Sequence, residues 1–216
     1  DITVIEAGER ILARVASKPL AEYLNKLHED NGVTVITNVG VEGINQEAGI
    51  FNNVTLSDGR VIEGDMLITG IGVYPDSQLA SDAGLETQFD NGGAILVDND
   101  MRTSDEDIFA IGDVAIRREQ TIAVESVHNA QETAAIAAAS ITGANRPNTQ
   151  TPWFWSDQYD AKLQSVGIVP VQDESVYQVE RLGKREGAVS FWSYRGDELV
   201  AVEVFFIGFV PFFLSQ

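Results

Sequence analysis

The chain holds 216 residues, 44% of them hydrophobic and 22% charged, with a formal net charge of −19 and no cysteine. This is the composition of a soluble globular protein with ample length for a buried core. The missing cysteines exclude disulfide frameworks, thiolate metal sites and thiol nucleophiles, and the acidity argues against nucleic acid as a partner, because neutralising phosphates takes a dense Lys/Arg surface.

Asp1-Ile2-Thr3-Val4-Ile5-Glu6 opens the chain as a β-rich run ending on an acid. The spacing of Leu20, Tyr23, Leu24 and Leu27 predicts a helix over residues 19–30, with Pro19 in its first turn and Asn31-Gly32 as its stop. Residues 33–37 form the next strand, so strand, helix and strand make a parallel crossover unit. Residues 54–57 and 60–63, about the Asp58-Gly59 turn, read as a hairpin. Residues 66–69 are apolar enough for a buried strand, which runs into Gly70-Ile71-Gly72. Short strands follow at residues 94–97 and 108–111, the second ending on Gly112-Asp113.

The clearest helix covers residues 127–142, with Ser126 as N-cap and Gly143 just past its end. Its small residues from Ala134 to Ala139 let it lie close against a sheet or a ligand. Beyond a linker at residues 144–152, aromatic and β-branched residues predict short strands at 163–166, 175–180, 188–194 and 199–204. These form a small, mainly antiparallel α+β module. No run of about 20 apolar residues occurs, and the sequence opens without a basic, cleavable leader. A cytoplasmic enzyme is the expectation.

Several residues carry chemistry. Glu6, at a strand end, can accept hydrogen bonds from both ribose hydroxyls of NAD and would repel a 2′-phosphate; a surface glutamate is the competing reading. Arg14 can neutralise a pyrophosphate or simply be solvated. Gly70 and Gly72 let a ligand approach the backbone, or make a plain tight turn. Gly112 and Asp113 stand at the carboxyl end of a strand, where ligands sit in α/β sheets, and Asp113 can hold a ribityl hydroxyl. Glu125-Ser126-Val127 opens the long helix, whose free N–H groups and positive end favour negative charge. His128 invites a catalytic role, though a helix-packing histidine is commoner. Trp153 and Trp155 suit a structural core or stacking near an isoalloxazine. With only His28 and His128 as histidines, any redox chemistry falls to a bound cofactor.

Together these residues resemble the oxygenase-coupled ferredoxin reductases, the group of the putidaredoxin, rhodocoxin and biphenyl-dioxygenase ferredoxin reductases. Apoptosis-inducing factor is a more distant relative. The similarity runs from Thr3 to about Val204 through the Gly70-Ile71-Gly72 segment, Met101-Arg102-Thr103-Ser104-Asp105, Ala110-Ile111-Gly112-Asp113 and Glu125-Ser126-Val127. Trp153-Phe154-Trp155-Ser156-Asp157-Gln158-Tyr159 is close to diagnostic for the group.

The resemblance implies an α/β chain: part of a two-nucleotide-domain FAD/NAD fold, followed by a C-terminal α+β interface domain. Residues 1–73 would be the rear of the NAD domain, 74–150 the returning segment of the FAD domain, and 151–204 the interface domain. It also implies a flavoprotein that passes electrons from NADH through FAD to a [2Fe–2S] ferredoxin feeding an oxygenase. Glu6, Arg14, Gly70 and Gly72 would then serve NAD. Gly112, Asp113, Glu125, Val127 and Trp155 would serve FAD, with Trp153 in support. The family's glycine-rich pyrophosphate fingerprints would precede Asp1, so this chain alone is expected to bind little cofactor. Residues 205–216, with five of the ten phenylalanines, read as an aberrant apolar tail. A truncated or frame-shifted reading is expected there, with a partner-binding or membrane-touching tail as the alternative. An inactive nucleotide-binding remnant, or an apoptosis-inducing-factor-like flavoprotein with another acceptor, remain the competing functions.

Overall fold

In the computed structural model, which describes residues 1–89, 92–120, 123–144, 146, 151–170, 173–185 and 187–207, the chain divides between two units. The first comprises Asp1–Ile71, Asp157–Leu163 and Ile168–Gln216, the second Gly72–Ser156 and Gln164–Gly167.

The first unit opens as the sequence predicts. Strand β1 (Ile2–Ile5), helix α1 (Lys18–Asp30) and strand β2 (Val33–Ile36) form a crossover, with β1 and β2 parallel from Ile2↔Val33 to Ile5↔Ile36. Ser17 caps α1 by accepting the Leu20 N–H, and Pro19 sits in the first turn, where its missing donor costs nothing. Leu20, Ala21 and Leu24 bury the apolar stripe. Next, β3 (Val41–Glu47), β4 (Ile50–Leu56) and β5 (Val61–Glu63) build an antiparallel sheet over Val39, Val54 and Leu56. The β4–β5 pair is the expected hairpin. Strand β3 is an addition: only Gly43 is partly covered, so no apolar alternation announces it.

The expected buried strand at residues 66–69 is corrected. Met66 and Ile68 are 77% and 85% exposed, and among the described residues no strand pairs with this segment. Leu67 alone turns inward, onto the Val39–Val54–Leu56 cluster. An apolar run is a buried strand only where neighbours cover both of its faces.

In the second unit, α2 (Gln78–Asp82) leads to β6 (Thr87–Phe89), β7 (Gly92–Val97), a 3-10 turn (Gly112–Val114), β8 (Ala115–Arg117) and α3 (Val127–Ile141). The sheet order is β6-β7-β8, with β7 and β8 parallel. Ile136 and Ala137 of α3 pack with Ile95, Val97, Met101 and Ala115. The caps are those expected: Ser126 Oγ accepts the Asn129 N–H at 3.1 Å, and Gly143 takes φ +73°. The strand expected at residues 108–111 shrinks to one bridge, Arg102↔Phe109. Thr103 and Asp105 fold the preceding segment into a side-chain-bonded turn, which leaves Ile108 and Ile111 about two-fifths exposed.

The carboxy-terminal strands are β9 (Trp153–Gln158), β10 (Ala161–Gly167), β11 (Val176–Leu182), β12 (Val189–Arg195) and β13 (Glu198–Ile207), in the sheet order β11-β12-β13-β10-β9. Within the first unit, Val189, Phe191 and Ser193 of β12 and Ala201, Glu203 and Phe205 of β13 alternate onto one buried face. The ring of Tyr23, on α1, lies 5.9 Å from both Phe191 and Phe205. Strand β13 carries Phe205 and Phe206 into the sheet, so the apolar segment expected to be a tail begins as ordinary core; residues 208–216 lie outside the described ones. Among the described residues no helix is long and apolar enough to cross a membrane.

Candidate functional site

The best-built site lies in the second unit. Gly112 is buried at φ +70°, a conformation that favours glycine, and the Cβ of Ala130 would lie 3.7 Å from a methyl placed there. Its N–H donates to Thr133 Oγ1 at 2.9 Å, and that hydroxyl donates back to the Asn129 carbonyl at 2.7 Å. One turn of α3 therefore fixes the backbone direction of Gly112-Asp113, leaving the Asp113 side chain in solvent. Val127, the first residue of α3, is 57% exposed and its N–H has no acceptor inside the helix. Glu125 is exposed just before the cap.

The tryptophans belong to the same unit. Trp153 and Trp155 stack with centroids 4.8 Å apart, and Trp155 is 44% exposed. His128, on the first turn of α3, meets Trp153 edge-on at 5.9 Å. That contact favours the packing reading of His128. Gly112, Asp113, Glu125, Val127, Trp153 and Trp155 thus share one compact unit, as a common site requires.

Sequence reasoning missed Thr133. A threonine in the second turn of an otherwise alanine-rich helix was the available signal. Thr133→Val keeps the shape but orphans the buried Gly112 N–H. Expected is a loss of about 1–3 kcal/mol in urea unfolding, with Thr133→Ser restoring most of it.

Of the residues read for NAD, Glu6, Arg14 and Gly70 lie in the first unit. Glu6 follows β1, and its Oε1 accepts the Gly8 N–H at 2.7 Å, so part of the carboxylate's capacity is spent on its own loop. Arg14 is exposed. Arg10, not foreseen, is the better-held arginine: its guanidinium donates to the Ala13 carbonyl at 3.3 Å. Gly70 has open space where a side chain would be, and Gly72, at the start of the second unit, takes φ +99°. A cleft of about 470 Å³ beside α1 is lined by Glu9, Arg10, Lys18, Glu22 and Lys26 among others. Its mixed charge favours no ligand sign, and neither Glu6 nor Arg14 lines it. No group of three or more His, Asp or Glu side chains suited to a metal occurs among the described residues.

Residues 1–134 match the pyridine nucleotide-disulphide oxidoreductase family, and residues 153–205 match the reductase C-terminal family. The chain is 40% identical over 205 residues to a probable ferredoxin reductase of Castellaniella defragrans, covering 93% of this chain and 48% of that protein. It is 38% identical to rhodocoxin reductase of Rhodococcus erythropolis, covering 94% and 47%. Among solved structures, a ferredoxin reductase from Rhodopseudomonas palustris superposes with TM-score 0.86 at 35% identity, over 94% of this chain and 50% of that one. The putidaredoxin reductase of a covalent complex with putidaredoxin superposes with TM-score 0.83 at 33% identity, over 94% and 48%. The chain spans about half the length of the relatives it matches.

Proposed function

The chain belongs to the pyridine nucleotide-disulphide oxidoreductase family, and from that premise we propose that it is the carboxy-terminal part of a cytoplasmic, FAD-dependent NADH:ferredoxin reductase. The observation that carries this reading is the cradle of the second unit. A buried left-handed Gly112, an exposed Asp113 and the open amino-terminus of α3 stand in one unit with a stacked tryptophan pair.

These residues fit a flavin. Gly112 keeps the backbone free of a side chain where a ligand must come close. Asp113 would accept hydrogen bonds from ribityl hydroxyls. Val127, behind Glu125 and Ser126, would offer its N–H, and the positive end of α3, to the electron-rich edge of the ring. Trp155 would lie beside the ring, with Trp153 bracing it from behind. For NADH, Glu6 would take the ribose hydroxyls and disfavour a 2′-phosphate, Arg14 would face the pyrophosphate, and Gly70 and Gly72 would leave the approach unobstructed. When bound, FAD supplies hydride acceptance from NADH and single-electron release to a [2Fe–2S] ferredoxin that feeds an oxygenase.

We assign residues 1–73 to an NAD domain, 74–150 to an FAD domain and 151–204 to an interface domain; the two family matches, at 1–134 and 153–205, support the last boundary. The test is an FAD titration followed by flavin fluorescence. It is run on the chain alone, and with the amino-terminal half of rhodocoxin reductase supplied in trans. Saturable uptake in the second case is expected. Uptake in neither would leave the inactive-remnant reading standing.

A further inference from the structure

One buried acid has no part in the cradle or in the ribose contact. Glu203, on β13, is fully buried, and its Oε1 accepts the Ser17 N–H at 2.9 Å from 186 residues away. Ser17 is buried too and caps α1. It ends the loop that begins at Glu6, and that loop is bonded to itself and to the segment after β2. Gly8 donates to Glu6, Val15 and Ala16 both donate to the Leu12 carbonyl, and Asn38 donates to the Gly8 carbonyl. Arg10 spans the Ile11 and Ala13 carbonyls. The far end of this construction rests on Glu203.

We propose that Glu203 is a positioning residue for nucleotide binding: through Ser17, the carboxy-terminal sheet fixes the loop that presents Glu6 and Arg14. The proposal rests on the reading of Glu6 and Arg14 as NADH ligands.

Packing alone does not call for an acid here. Position 203 shares its inward side with Ala201 and Phe205, where an apolar residue would avoid the cost of desolvating a carboxylate. What a carboxylate adds is complementarity to the start of α1, where N–H groups lack partners and the helix end is positive. The groups facing it are Ser17 at the head of α1, Arg10 in the loop and Gln178 on β11. Gln178 favours the ionised form from close by, although its amide donates to Ser193 Oγ and Glu203 Oε2 accepts no bond of ordinary geometry. Burial outweighs these three and holds the Glu203 carboxyl above the usual carboxylate range.

The test is amide hydrogen exchange on the whole chain, comparing wild type with Glu203→Leu, which packs but accepts nothing, and Glu203→Gln, which keeps an acceptor. The Gly8, Ala16 and Ser17 amides should lose about tenfold in protection in the leucine variant, as the loss of one hydrogen bond implies. The Leu24 amide, inside α1, should hold, and glutamine should restore the loop. Unchanged loop protection overturns the proposal, and so does an equal loss through α1 and the sheet. With the amino-terminal half of rhodocoxin reductase supplied in trans, ADP-ribose binding should weaken about tenfold in step, again rescued by glutamine. Failure of the complemented wild type to bind ADP-ribose would sink the NADH reading, while the exchange pattern still decides whether Glu203 holds the loop.

A pH series checks the carboxylate itself. With its folded pKa raised, the stabilisation Glu203 gives is complete below its unfolded value and is lost as pH rises through the folded one. Wild type should therefore gain stability over Glu203→Gln as pH falls from neutral toward 4.5, the ordinary value. A difference that stays flat over that range means that Ser17, Arg10 and Gln178 offset the cost of burial, and the exchange pattern alone then decides whether Glu203 holds the loop.

Discussion

Asp113→Ala is expected to weaken FAD binding by about ten- to a hundredfold while leaving the unfolding midpoint unchanged. The size follows from hydrogen bonds to a charged group, worth about 1.5–3 kcal/mol, with 1.4 kcal/mol for each factor of ten. The indifference of stability follows from exposure: Asp113 points into solvent, while Gly112 beneath it is held by Thr133. Isothermal titration of the complemented protein with FAD, beside a urea curve, separates the two effects. Equal affinity in variant and wild type would remove Asp113 from the site.

Phe191→Ala is expected to cost about 3–5 kcal/mol, the range for deleting a buried phenylalanine. Phe191 is 1% exposed, sits opposite Glu203 in the β12–β13 register, and meets the Tyr23 ring of α1. Its loss opens a cavity on the face where α1 and the sheet share their core. Tyr177→Ala is the control, because Tyr177 stacks on Tyr194 but is 53% exposed. The urea midpoint should fall steeply for the first and by less than about 1 kcal/mol equivalent for the second.

What could be read in advance was whatever local chemistry decides. Ser126 and Gly143 bound α3 through capping and a left-handed stop, and Pro19 and Asn31-Gly32 mark the first turn and the stop of α1. Gly112-Asp113 and the head of α3, the proposed flavin side, could be named in advance because they are sequence-local signals. Where neighbours decide, the reading failed. Met66 and Ile68 are as apolar as core strand residues, yet in the described structure no strand pairs with their segment. Strand β3 is polar and exposed almost throughout and forms only because β4 offers it a partner. Glu203 left one trace, an acid on the inward side of an apolar strand. Its partner lies 186 residues away, beyond the reach of any local pattern.

The central claim is that this chain completes a flavin site that NADH reduces on behalf of a ferredoxin. The direct measurement joins the chain to the amino-terminal half of rhodocoxin reductase, loads the complex with FAD, and follows flavin absorbance as NADH and then a [2Fe–2S] ferredoxin are added anaerobically. The account predicts bleaching by NADH, much less by NADPH, then recovery of the flavin band as the ferredoxin is reduced, with both weakened in Asp113→Ala. A complex that retains no flavin, or whose flavin NADH leaves oxidised, would contradict it.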